Sequence, residues 1–177
     1  MNDQPSSQAT NVNPIAERQS NVLNEENWIV ERLPYTEESP AKGFLQLCAD
    51  KRFHRCIQQE FKKDAKLSSR EDYWIHADAG GTPKMGCQRV TPDYCYIKKG
   101  VRLMGWSAHG GGCGGFGEDV PDDVIRRALC KTMQWNVREY PLAKHFIYFV
   151  TVRNEETVVY RMIAEPGSDI VCTQGAD

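Results

Sequence analysis

No apolar run in this sequence approaches the roughly 18 residues that a membrane-spanning helix needs. Nor does the N-terminus carry a basic start followed by an apolar stretch, so no secretory signal is expected. An excess of one charge sign is missing too: 22 basic residues stand against 24 acidic ones and are scattered, which argues against a nucleic-acid footprint. Internal repeats are absent. These absences leave a cytoplasmic chain of 177 residues with neither membrane nor nucleic acid as partner, large enough to bury a core of its own.

Cysteine, by contrast, is plentiful for such a chain. There are seven, and an odd number argues against a complete internal disulfide set. In a reducing compartment cysteines serve mainly as buried thiols, metal ligands or nucleophiles. Cys56, Cys87, Cys95, Cys130 and Cys172 are read as packing thiols. Cys48 and Cys113 stand apart because of their neighbours.

Residues 1–25 are rich in Asn, Gln, Ser and Pro and poor in large apolar groups, the composition of a flexible arm. Residues 26–42 hold Trp28, Ile29, Val30, Leu33 and Tyr35, an arm able to pack on the domain or on a second subunit. Residues 43–177 are expected to form one α/β domain. Gly43 to Asp50 reads as a first strand. Phe53, Ile57 and Phe61 follow at helical spacing, and Tyr73 to Ala79 as a second strand ending at Gly80-Gly81. Residues 82–100 have no clean period and are given one short helix. Val101 to Ala108 is the third strand. A helix starts near Asp119 to Asp123, with acids in its first turn, and stops at Pro141. His145 to Val152 is the fourth strand, and Thr157 to Ile163 pairs back as an edge strand. The order implies a mainly parallel sheet with helices on both faces and an antiparallel edge strand at the C-terminus.

Ligands in such sheets bind beyond the carboxyl ends of the strands, where strand order reverses. Cys48, Asp50 and Arg52 follow the first strand; His109 and Cys113 follow the third, in the run His109-Gly110-Gly111-Gly112-Cys113-Gly114-Gly115. The first and third strands are neighbours in the commonest doubly wound orders, so two thiolates and an imidazole can meet there. Cys₂His with one open position is a catalytic zinc shell. The other histidines read as bland: His54 solvated on a helix, His76 a partly buried and satisfied imidazole, His145 at the surface. A hydrolase reading of the His-Gly-Gly-Gly run fails, because the chain has no Gly-x-Ser-x-Gly elbow.

Cys48-Ala49-Asp50-Lys51-Arg52 resembles the Cys-x-Asp-x-Arg motif of β-class carbonic anhydrases, and most closely a divergent bacterial branch of that family. Asp78-Ala79-Gly80-Gly81 resembles the family's Asn-Ala-Gly turn, and His109 to Gly114 its His-x-x-Cys-Gly element. The resemblance implies that Cys48, His109 and Cys113 hold Zn²⁺. It implies a zinc-bound hydroxide that hydrates CO₂ to bicarbonate, oriented by Asp50, with Arg52 holding Asp50 ionised. It also implies a homodimer or higher oligomer. Two departures stand out. Three residues rather than two separate His109 from Cys113, and Asp78 occupies the usual asparagine position. The three glycines either absorb the added residue in a bulge or mark a lost site. A zinc hydrolase of a CO₂-like molecule such as COS or CS₂, and a non-catalytic zinc-binding descendant, are the competing expectations.

Overall fold

The computed structural model describes residues 40–85 and 89–172. The two expected arms, up to residue 39, and Cys87 lie outside the described residues. Five strands form one sheet: β1 (Gly43–Cys48), β2 (Tyr73–Asp78), β3 (Leu103–His109), β4 (Lys144–Arg153) and β5 (Glu156–Ala164), in the order β2-β1-β3-β4-β5. The first four run parallel, and β5 returns antiparallel at the edge. The β4–β5 turn places Asn154 and Glu155 both at positive φ, the geometry whose twist matches a tight hairpin. This is the sheet expected from the sequence, including the adjacency of the first and third strands.

Each face is covered by one long helix, and the strand alternation explains which side chains meet it. Helix α1 (His54–Asp64) seats Ile57 and Phe61 against Leu45, Leu47, Tyr73, Phe146 and Tyr148. Phe61 stands edge-on to both Tyr73 and Phe146, the preferred aromatic geometry. Helix α3 (Asp122–Glu139) seats Ile125, Leu129, Met133 and Val137 on the other face, against Phe44, Met104, Trp106, Ile147 and Phe149. Asp122 and Asp123 open α3, where acids suit the positive end of the helix dipole.

The crossover from β2 to β3 holds the one short helix expected, with a tighter and a wider turn beside it. It comprises a 3₁₀ turn (Thr82–Lys84) and a short helix α2 (Val90–Asp93) that widens into a π turn (Tyr94–Lys98). Pro83 and Pro92 each sit within the first turn of their segments, where a missing N–H costs nothing. Segments this short show no periodicity over a helical window.

Three bland readings are corrected. His145 is buried, not at the surface: Trp106 Nε1–H donates to its Nδ1 at 3.0 Å, and its Nε2–H donates to the Tyr140 carbonyl at 3.1 Å. His54 is partly buried and donates Nε2–H to the Cys48 carbonyl at 2.6 Å. Cys130 and Cys172 are joined in a disulfide rather than packed as thiols. Cys95 is a fully buried thiol, as read, and His76 is partly buried with a bond between its Nδ1 and Gln46 Oε1 at 3.0 Å. Among the described residues no helix is long and apolar enough to cross a membrane.

Candidate metal centre

From β1 the chain continues to β2 on one side of the sheet, and β3 lies on the other, so strand order reverses between β1 and β3. Cys48 is the last residue of β1 and His109 the last of β3. Beyond them the loop returns Cys113 to the same edge. The added residue is absorbed by the backbone: Gly111 and Gly112 are both at positive φ, conformations that side chains other than glycine rarely adopt. Gly115 lies so close to the Ala79–Gly80 backbone that a Cβ there would overlap it. That contact sets the Cys113 turn beside Cys48.

The result is a compact donor set. Cys48 Sγ and Cys113 Sγ are 3.8 Å apart. Two sulfurs each about 2.3 Å from one tetrahedral ion would be about 3.8 Å apart. The two sulfurs and a ring nitrogen of His109 all lie within 4.8 Å of one another. All three residues are buried, Cys48 at 4% exposure and the other two at 1%.

The imidazole is oriented for ligation. His109 Nδ1 lies 2.9 Å from the Gly110 carbonyl, which can only accept, so Nδ1 carries the proton. Nε2 is left with a lone pair, is buried, and has no hydrogen-bond partner. An orphaned buried acceptor costs free energy unless something occupies it. A ring nitrogen anchored to a carbonyl with its opposite nitrogen free is the arrangement of metal-bound histidines. The Phe53 ring packs at 5.1 Å between centroids and holds the imidazole plane.

Burial and hydrogen bonding together set the charge at the site. Burial raises the Cys48 thiol, but the imidazole of His109 and the backbone N–H groups of Asp50 and Gly80 outweigh it and bring its pKa to about 7. Gly80 N–H reaches Cys48 Sγ at 3.3 Å. Cys113 is raised, chiefly by burial and then by the charge of Cys48. Burial opposes a charged His109, yet Cys48, the Gly110 carbonyl and Asp50 raise its pKa. Two sulfurs and one imidazole nitrogen converging in a buried pocket offer three donors to a single cation.

Asp50 and Arg52 stand at the rim. Arg52 donates Nε–H and Nη2–H to Asp50 Oδ2 at 2.9 Å and 2.6 Å, and Nε–H also reaches Oδ1 at 3.1 Å. The guanidinium holds the Asp50 carboxyl down to about 2. Its outer N–H groups go to the carbonyls of Gly111, at 3.0 Å, and Gly112. Arg52 therefore clasps the acid and the glycine loop together. Asp50 Oδ2 lies 3.8 Å from His109 Nε2.

All five residues singled out in the sequence thus meet at one sheet edge, while Asp78 does not join them through its carboxylate. Its Oδ2 is taken by Gln46 Nε2 at 3.3 Å and His76 Nδ1 at 3.2 Å. Two supporting residues escaped the sequence reading. Asp122 accepts the Gly111 N–H at 3.0 Å and so anchors the loop from α3, and His54 anchors the Cys48 carbonyl. An acid at a helix start and a histidine on a helix carry no local mark of either task.

Among solved structures, the β-carbonic anhydrase CcaA is similar over 74% of this chain and 80% of its own, with 14% identity and a TM-score of 0.45. A chain from the crystal structures of two tetrameric β-carbonic anhydrases from the filamentous ascomycete Sordaria macrospora is similar over 71% of this chain and 83% of its own, with 11% identity and a TM-score of 0.38. No protein-family model and no curated protein sequence matches the chain.

Proposed function

We propose that this chain is a zinc-dependent lyase interconverting CO₂ and bicarbonate, with Cys48, His109 and Cys113 as the metal ligands. The observation that carries the proposal is the donor set itself: two sulfurs at 3.8 Å beside a buried, unpartnered imidazole nitrogen, with an ionised Asp–Arg pair at its rim. Zinc held by Cys48, His109 and Cys113 would supply a water acidified toward neutral pH. Asp50 would accept a hydrogen bond from a water at the rim of the ligand set and so orient it toward CO₂. Arg52 keeps Asp50 ionised throughout the working pH range and turned toward the guanidinium rather than into the ligand set. His109 and Cys113 are shielded from bulk water, which keeps the ligand set dry.

A homodimer belongs to the same proposal. Its support is an apolar stripe left exposed at the β2 edge, Val90, Tyr94 and Ile97 at helical spacing with Trp74 edge-on to Tyr94. Light scattering of the full chain tests it.

Stopped-flow hydration of CO₂ by the zinc-loaded chain tests the activity. Hydration that falls about 100-fold or more in Asp50→Asn, with zinc retained, is the expected result. A zinc-loaded chain with no hydration between pH of about 6 and 9, a window spanning a zinc-water pKa near 7, overturns it.

A further inference from the structure

The Cys130–Cys172 disulfide plays no part in the proposed chemistry, yet it sits where a fastening is needed. The chain after β5, Glu165–Cys172, folds back along α3. It buries one side chain, Ile170, at 7% exposure, while Val171 beside it is 78% exposed. Ile170 forms part of the wall of a partly open apolar pocket of about 130 Å³, shared with Leu129, Met133, Ile147, Phe149 and Tyr160, with Cys130 beside them. The polar ties of the segment are few. Gln134 Nε2–H donates to the Ile170 carbonyl at 3.1 Å and Gly167 N–H to the Pro141 carbonyl at 2.9 Å. The ion pairs Lys144–Glu165 and Arg138–Asp169 lie at the surface, where such pairs contribute little. One buried side chain and two hydrogen bonds to the rest of the fold fall short of the entropy lost in ordering about eight residues. The covalent link supplies the difference by confining the segment to the neighbourhood of α3.

We infer that the Cys130–Cys172 disulfide is a site of thiol–disulfide exchange that latches the C-terminal strap along α3, with Ile170 in the wall of the apolar pocket, and that a dithiol reductant releases it. Both cysteines are only partly buried, so a reductant can reach the bond. A thiolate of the reductant attacks one sulfur and forms a mixed disulfide, while the other cysteine leaves as a thiolate and takes up a proton. The second thiol of the reductant then displaces the remaining cysteine. Cys130 and Cys172 end as thiols, reduced by two electrons in all, and the reductant ends as a disulfide. With the tether gone, Ile170 leaves its seat and the side of the pocket that it walls opens further to water.

Hydrogen exchange of the full chain, read by mass spectrometry before and after reduction, tests the latch. Peptides spanning residues 165–172 are expected to exchange at least about tenfold faster on reduction, with a several-fold rise in fluorescence of an apolar dye. The unreduced Cys172→Ser chain should already match the reduced protein and should ignore the reductant. The latch is overturned if strap exchange is the same in oxidised and reduced chains. It is overturned equally if peptide mapping of the air-oxidised chain finds Cys130 and Cys172 as free thiols.

Discussion

Cys48 Sγ and Cys113 Sγ meet at 3.8 Å although 65 residues of chain separate them. The sheet does most of this by placing β1 beside β3. The glycine loop does the rest, by turning at Gly111 and Gly112 and by laying Gly115 against the Gly80 backbone. The proposed chemistry depends on this geometry.

Backbone contact is therefore the first thing to perturb. A Cβ at Gly110 would overlap the Asp122 carboxylate, and one at Gly115 would overlap the Gly80 backbone, whereas Gly114 faces open space. Gly110→Ala and Gly115→Ala are expected to cost about 1–3 kcal/mol of stability each, and to weaken metal binding. Gly114→Ala should match the parent chain within about 0.5 kcal/mol. Urea unfolding with parallel metal analysis checks the set. Equal behaviour of all three variants would show that close packing of the loop is unimportant.

Arg52 is expected to be irreplaceable by lysine. Its fork grips both Asp50 oxygens while its outer N–H groups hold two loop carbonyls, and an ammonium cannot do both. Arg52→Lys should lose about 10- to 100-fold in CO₂ hydration, with zinc retained and little change in unfolding free energy, because the pair is half in solvent. Full activity in the lysine variant would reduce the role of Arg52 to charge alone.

Acid sensitivity should trace to His145. Burial holds this imidazole neutral, lowering its pKa from the usual 6.5 to about 4. The unfolded chain therefore takes up the proton first as pH falls, so the contribution is whole above about 6.5 and is lost on the way down to about 4. The size is about 3 kcal/mol, and protonation also breaks the bond from Trp106. Urea midpoints measured from pH 7 to 4 should fall steeply in the parent chain and less steeply in His145→Gln. Parallel slopes would assign the loss to other groups.

The sequence carried the sheet well, because its strands are strongly apolar runs bounded by breakers and its long helices have clean stripes. It carried the site through residue types at strand ends: Cys48, Asp50 and Arg52 after one strand, His109 and Cys113 at the next but one. Other features depend on partners far along the chain. His145 is buried by Trp106, 39 residues away, and nothing beside it announces that. Cys130 and Cys172 pair across 42 residues, and counting cysteines could not choose them from seven. The bond from Asp122 to Gly111 joins a helix start to a loop whose shape only the fold defines.

Metal content of the purified chain decides whether Cys48, His109 and Cys113 form a metal centre. About one zinc per chain is expected, lost in Cys48→Ser and in His109→Ala while both variants keep the circular dichroism of the folded sheet. A chain that folds and binds no zinc, or variants that keep the metal in full, would contradict that assignment.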